Sequence, residues 1–164
     1  MRDLQACVLS CMRELDALKI PYSKNVRFVV NNRAVSRLGL CRKAPNGFII
    51  EIAAVLLDER TDERTGLRDT VIHELLHTCR GCMKHTGKWK EYAERVNLAY
   101  GYDIKRVSPR AGGPVPSELL PKPVYTVRCL SCGAVITRQK RSALITDTSR
   151  FRCAKCGGRL KVEG

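Results

Sequence analysis

Residues 73–77 read His-Glu-Leu-Leu-His, and this stretch constrains the fold more than any other. At about 100° per residue, His73 and His77 sit about 40° apart, one turn along the same helix face, so both imidazoles can reach one Zn²⁺. Glu74 points about 100° round the helix, where a carboxylate can touch a metal-bound water without ligating the metal. From Thr70 to Cys79 the sole formally charged residue is Glu74, and Val71, Ile72, Leu75 and Leu76 leave the helix apolar nearly all round. Such a helix is expected to be buried. An isolated carboxylate on it is costly, and a neighbouring metal ion accounts for it economically. The alternative is a core helix with two satisfied histidines and a surface glutamate.

The chain contains three histidines, His73, His77 and His85, all within thirteen residues. Three imidazoles are a common donor set for a catalytic zinc with one open position. Gly81 is expected to turn the chain after the helix so that His85 swings back to the metal. Glu91 and Glu94 on the next helix are rival third ligands. Cys79 and Cys82 form a C-x-x-C that could instead close a structural site with some of the histidines, although Cys79 lies about 200° round the helix from His77. Asp69, one turn before His73, is either a partner for that histidine or a surface contact.

Nine cysteines without a leader-like apolar stretch suggest a reducing compartment, where paired cysteines are more often metal ligands than disulfides. Arg2, Asp3, Arg13, Glu14 and Asp16 interrupt the first twenty residues, and no run approaches a membrane span. Secretion and membrane association are therefore not expected. Cys129-Leu130-Ser131-Cys132 and Cys153-Ala154-Lys155-Cys156 fit the spacing of a four-cysteine zinc ribbon, each pair followed by glycine. So short a segment has little core of its own, so a structural zinc is expected to hold its fold.

Lys and Arg number 30 against 16 Asp and Glu, a formal net charge of +14. Half of the excess lies in residues 115–164, which makes the tail the more densely basic part. Arg138, Lys140, Arg141, Arg150, Arg152 and Lys155 on a metal-stiffened ribbon suit a phosphate backbone. Tyr125 and Phe151 are the sole aromatics there, so sequence-tolerant electrostatic contact with DNA is expected more than base reading. A merely solvated basic face is the alternative.

Elsewhere the pattern is mixed α and β. Leu4, Cys7, Val8, Cys11, Leu15 and Leu18 recur as one helical stripe, with both cysteines read as small buried apolar residues. Val26–Val30, Ser36–Lys43 and Phe48–Ile52 read as strands, the last two joined by a hairpin at Asn46-Gly47. Helices are expected from about Gly66 to Cys79 and from about Lys88 to Tyr100, the second carrying Trp89, Tyr92, Val96 and Ala99/Tyr100 on one face. Five prolines and two glycines in 107–123 read as a semi-rigid linker. The expected organisation is a domain over 1–106, that linker, and a ribbon over 124–164. Short strands are expected at Val124–Arg128, Ala134–Arg138 and Phe151–Arg152.

These features together resemble the SprT-like family, which includes the Spartan proteases. The resemblance rests on His-Glu-Leu-Leu-His, on the short loop to His85 with Trp89 four residues on, on the hairpin ending Phe48-Ile49-Ile50-Glu51-Ile52, and on the terminal ribbon. The family often places Gly directly after the third His, whereas here Thr86 precedes Gly87. The resemblance implies an α+β, zincin-like domain with a small sheet and a buried active-site helix. It implies His73, His77 and His85 as ligands of a catalytic Zn²⁺ and Glu74 as the catalytic carboxylate. A DNA-bound or DNA-crosslinked protein substrate, and a cytoplasmic, nucleoid-associated location, are expected with it. The rival function is a non-catalytic nucleic-acid-binding zinc protein with a structural or decayed histidine site. Tyr92, Tyr100 or an arginine could stabilise the oxyanion, and the sequence does not choose among them.

Overall fold

The computed structural model describes residues 1–34, 37–106, 113–120 and 124–163. The chain divides into two compact units, Met1–Leu120 and Pro121–Gly164.

The first unit opens with helix α1, Leu4–Ala17, whose start is capped by Asp3 accepting from the Gln5 and Ala6 amides. Its stripe of Cys7, Val8, Cys11 and Leu15 is buried. Both cysteines thus pack as core residues.

Strands β1 (Val26–Asn31), β2 (Gly39–Ala44) and β3 (Gly47–Ala53) form a sheet in the order β1-β3-β2. The β2–β3 hairpin is antiparallel with Ala44 opposite Gly47, while β1 runs parallel to β3. The central strand is the most apolar, with Ile50 and Ile52 fully buried. Strand β2 starts at Gly39 rather than at Ser36, which lies outside the described residues with Val35.

The long helix expected from Gly66 is built differently. A π-helical turn, Glu63–Arg68, feeds helix α2, Asp69–His77. Winding begins early because Asp62 accepts from the Thr65 amide at 2.7 Å and the Thr65 hydroxyl at 2.8 Å. It ends early because the Thr78 and Cys79 amides bond back three residues, to Leu75 and Leu76. Cys79 therefore falls in the turn and not on the helix. Gly81, with φ of 82°, reverses the chain there, as its lack of a Cβ allows.

Helix α3, Lys88–Tyr100, buries Trp89, Ala93 and Val96 and stops at Gly101. Tyr92 and Tyr100 are half-buried, and Ala99 faces solvent, so the buried stripe is shifted by part of a turn from the expected one. Helices α1, α2 and α3 and strand β3 share one apolar core.

Of the stretch read as a linker, 107–112 and 121–123 lie outside the described residues. Residues 113–120 pack with the first unit. Val115 is buried and the Asp62 amide donates to the Pro114 carbonyl at 3.1 Å.

The second unit is a three-stranded sheet of β4 (Tyr125–Cys129), β5 (Val135–Arg138) and, after a short helix α4 at Ala143–Thr146, β6 (Leu160–Glu163). The order is β5-β4-β6, all antiparallel. The third strand is β6, not Phe151–Arg152. Those two residues lie in a loop, where Phe151 packs against the ribbon's small core.

Among the described residues, no helix is long and apolar enough to cross a membrane.

Candidate metal centres

The one-turn spacing of His73 and His77 on α2 brings their Nε2 atoms to 3.3 Å. The turn at Gly81 returns His85, whose Nε2 lies 3.1 Å from that of His77 and 2.8 Å from that of His73. A tetrahedral zinc with ligands at 2.0–2.1 Å spaces its nitrogens about 3.3 Å apart, so these donors fit such an ion with little adjustment.

Each ring is prepared for a metal. Burial pushes His73 down to about 3, and it lowers His77 and His85 as well, so all three imidazoles are neutral at pH 7. The Nδ1 of His77 donates to the Cys82 carbonyl at 2.7 Å, which leaves Nε2 with its lone pair toward the cluster. For His73 the Lys105 backbone carbonyl acts against burial, in the direction that favours a ring N–H. Among the described residues no hydrogen bond joins Asp69 to His73. Asp69 is buried instead, and burial raises its carboxyl while the Asp103 backbone N–H pulls the other way.

Trp89 is the floor of the cluster. Its ring centroid lies 4.8, 5.6 and 4.6 Å from those of His73, His77 and His85, and it is 2% exposed. The sequence showed Trp89 on the inner face of α3, but not that one ring would touch three histidines.

Glu74 does not face solvent. It is 6% exposed, and burial pushes its carboxyl up to about 7, with the Cys41 backbone N–H of β2 pulling the other way. The bond from Ala53 N–H to the Leu38 carbonyl fixes the alternation along the hairpin, so the Gly39 and Cys41 backbone groups face the free edge of β2. Gly39 lies so close that a Cβ there would meet Glu74 Oε1 at 2.6 Å. A glycine in an edge strand thus makes the space that the carboxylate occupies.

The rival ligands lie elsewhere. Glu91 and Glu94 are exposed on α3. Cys79 and Cys82 are buried beside one another and neither sulfur joins the histidine cluster. The Tyr100 hydroxyl donates to the Glu14 carbonyl at 3.2 Å, which engages it away from the histidines. Two arginines that the sequence did not single out carry charge to the site: Arg106 acts on His85 and Arg37 on Glu74.

In the second unit the four cysteine sulfurs lie within 4.8 Å of one another. Cys129 and Cys156 are 3.5 Å apart, and Cys132 and Cys153 are 3.7 Å apart. Zinc–sulfur bonds of 2.3 Å would place such sulfurs about 3.8 Å apart, so the set suits zinc. The two knuckles repeat one geometry. The Gly133 amide bonds the Cys129 carbonyl at 3.0 Å, and the Gly157 amide bonds that of Cys153 at 2.7 Å. Their φ values are 70° and 71°. The Cys132 backbone N–H, aimed at the Cys129 sulfur, holds that thiol below its usual range, as a thiolate ligand needs. Gly158 leaves room for this, since a Cβ there would lie 3.0 Å from the Cys129 sulfur.

Arg138, Lys140, Arg141, Arg150, Arg152 and Lys155 are all exposed. Among the described residues none of them forms an ion pair; in the ribbon that role falls to Arg128 and Glu163.

A model of the SprT-like family matches residues 8–109. The chain is also 29% identical over 145 residues to Germ cell nuclear acidic-1 protein of Caenorhabditis elegans, covering 84% of this chain and 25% of that protein. The chain thus spans about a quarter of that relative's length.

Proposed function

This chain belongs to the SprT-like family, and from that premise we propose that it is a zincin-like zinc endopeptidase acting on DNA-associated proteins, with DNA held by the basic ribbon. The observation that carries the reading is the meeting of three neutral Nε2 donors with Glu74, buried on the adjoining position of the same helix. Three donors leave a tetrahedral ion one position for water, which a closed structural site would not.

His73, His77 and His85 would hold the catalytic zinc, and Cys129, Cys132, Cys153 and Cys156 a structural one. Zinc at the histidines would lower the pKa of a bound water toward about 7 and polarise the scissile carbonyl. Glu74 would take a proton from the attacking water on a carboxylate oxygen and return it to the leaving amine nitrogen. Burial and the packing of β2 suit it to this shuttle, because a carboxyl raised toward 7 accepts a proton at neutral pH more readily than an exposed one. The Cys82 carbonyl holds the His77 ring, and Trp89 excludes water from beneath the three imidazoles. Arg106, whose charge acts on His85, and Arg37, whose charge acts on Glu74, are the arginines that would stabilise the oxyanion.

The exposed, unpaired cations of the ribbon support a contact with phosphates, which is electrostatic and tolerant of sequence. Glu74→Gln tests the catalytic part. It is expected to retain two zinc ions per chain and to lose cleavage of a DNA-bound protein. Cleavage at the wild-type rate would remove Glu74 as the base.

A further inference from the structure

The second unit has a cavity of about 370 Å³ set against its cysteine knuckles. Its walls are Leu130 of the first knuckle, Thr148, Ser149 and Arg152 of the loop before the second, and Arg159, Leu160 and Lys161 at the start of β6. The four-cysteine set stands directly behind them. Leu130 follows Cys129, Arg152 precedes Cys153, and Leu160 pairs with Cys129 across the sheet. The Leu130 amide donates to the Arg159 carbonyl at 2.9 Å, which ties two of the walls together. The volume falls within the roughly 300–1,000 Å³ of small-ligand sites.

The lining has three cations and no carboxylate. Arg159 and Lys161 are exposed, and among the described residues neither forms an ion pair or a side-chain hydrogen bond. They alternate with buried Leu160, which puts both charges on one face of the strand. Arg152 is held in place, its Nη1 donating to the Ser149 and Phe151 carbonyls at 2.9 and 3.0 Å, and no carboxylate pairs with it. Asp147, just before this wall in the chain, is taken up by Ser149, whose amide and hydroxyl donate to it at 3.1 and 2.6 Å. The charge in the cavity is therefore unneutralised. Beside it stands an apolar wall, where Leu130 is 63% exposed. Free cations next to an open leucine suit a ligand of two parts, an anion and a flat apolar face.

A nucleotide has those two parts. Arginine and lysine donors bind its phosphate, and an apolar side chain can cover the face of its base. In a duplex the bases are stacked and paired, and turning one out costs energy that a single strand does not lose. A closed-in space of this size takes one such unit, not a stretch of duplex. We infer that the cavity holds one nucleotide of single-stranded DNA, with Leu130 against the base and Arg152, Arg159 and Lys161 on its phosphate. Of these residues only Arg152 belongs to the basic set read from the sequence. The inference rests on the reading of the ribbon as a DNA surface and adds to it a place for one base and a preference for unpaired strands.

The test uses the zinc-loaded full chain. Binding of a short oligothymidylate, an abasic strand of the same length and a duplex of the same length is measured by fluorescence anisotropy. Charge alone favours the duplex and treats the two single strands alike. The oligothymidylate should bind about tenfold more tightly than the abasic strand, the scale of one covered base, and more tightly than the duplex. Its titration should give saturable backbone amide shifts at Leu130, Ser149 and Arg159 in NMR. Leu130→Ser, at an exposed position, should abolish the preference over the abasic strand with zinc content unchanged. Arg159→Gln should weaken both single strands and flatten their salt dependence by about 0.7 unit of log–log slope. Equal affinity for the oligothymidylate and the abasic strand, or shifts confined to residues outside the cavity, overturns the nucleotide site, and this contrast needs no variant to fold. If all three DNAs bind without preference, the nucleotide site fails and the ribbon's role in holding DNA stands. If none binds, that role fails and the site with it. If the oligothymidylate is preferred but no DNA-bound protein is cut, the peptidase reading fails and the nucleotide site stands.

Discussion

Gly39→Ala adds one methyl group at the edge of the sheet. In the wild-type arrangement that carbon would lie 2.6 Å from Glu74 Oε1, 2.7 Å from Glu74 Cγ and 2.7 Å from Thr70 Cγ2. Ordinary contact begins near 3.4 Å, so the Glu74 carboxylate must retreat by about 0.8 Å. Its retreat is limited by a fully buried helix core at Val71, Ile72 and Leu75. Overpacking of this kind costs about 1–3 kcal/mol, and restricting the unfolded chain returns a few tenths to one. A net loss of about 1–2 kcal/mol corresponds to a drop in Tm of about 4–8 °C for a unit of this size. Displacing a catalytic group by nearly 1 Å can lower the rate by up to about 100-fold. The assay is thermal unfolding beside zinc content and cleavage of a DNA-bound protein. Both zinc ions should remain while kcat falls at least tenfold. Gly39→Ala combined with Glu74→Ala should recover most of the lost Tm, because two of the three close contacts are with Glu74. A Gly39→Ala protein as stable and active as wild type would refute the idea that β2 sets the position of the carboxylate.

Other outcomes follow from the same geometry. Replacing Cys129 and Cys132 by serine should reduce zinc from two ions to one and unfold 124–163, leaving the histidine-bound ion in place; a zinc count of two would overturn the four-cysteine site. Replacing Arg138, Lys140 and Arg141 by glutamine should weaken DNA binding alike for all sequences and flatten the salt dependence by about one unit of log–log slope per lost phosphate contact; an unchanged slope would place the DNA elsewhere. Burial pushes Asp69 up to about 6 from its ordinary 3.8, so the folded state favours its protonated form. Its contribution to stability is full below about pH 4 and is lost as pH rises through 6, a difference of about 3 kcal/mol. Asp69→Asn should therefore raise stability at pH 8 and not at pH 3.5 in denaturant titrations; an Asn variant less stable at pH 8 would contradict the burial argument.

What could be read from the sequence is what chemistry places within a few residues. His73 and His77 share a face because a helix repeats every 3.6 residues. The two ribbon knuckles follow from the Cys-x-x-Cys-Gly spacing, since their hydrogen bonds close within four residues. The α1 stripe, the Asn46-Gly47 hairpin and the stop at Gly101 are equally local. Errors began where local signals compete with packing. Asp62 starts the winding of α2 earlier than the apolar pattern suggests, and Thr78 ends it before Cys79. In the ribbon, Phe151-Arg152 has strand composition, but the edge of β4 is taken by Leu160–Glu163.

The amino-acid order by itself determined the histidine pair, the cysteine knuckles and the apolar helix that carries Glu74, because each is set by backbone geometry over one or two turns. Tertiary structure alone decided the hold of the Cys82 carbonyl on His77, the Trp89 floor, the space that Gly39 leaves for Glu74 and the unpartnered oxygen of Asp69. Those contacts join residues from separate elements. Their geometry depends on how whole faces pack against one core, which no short-range spacing encodes.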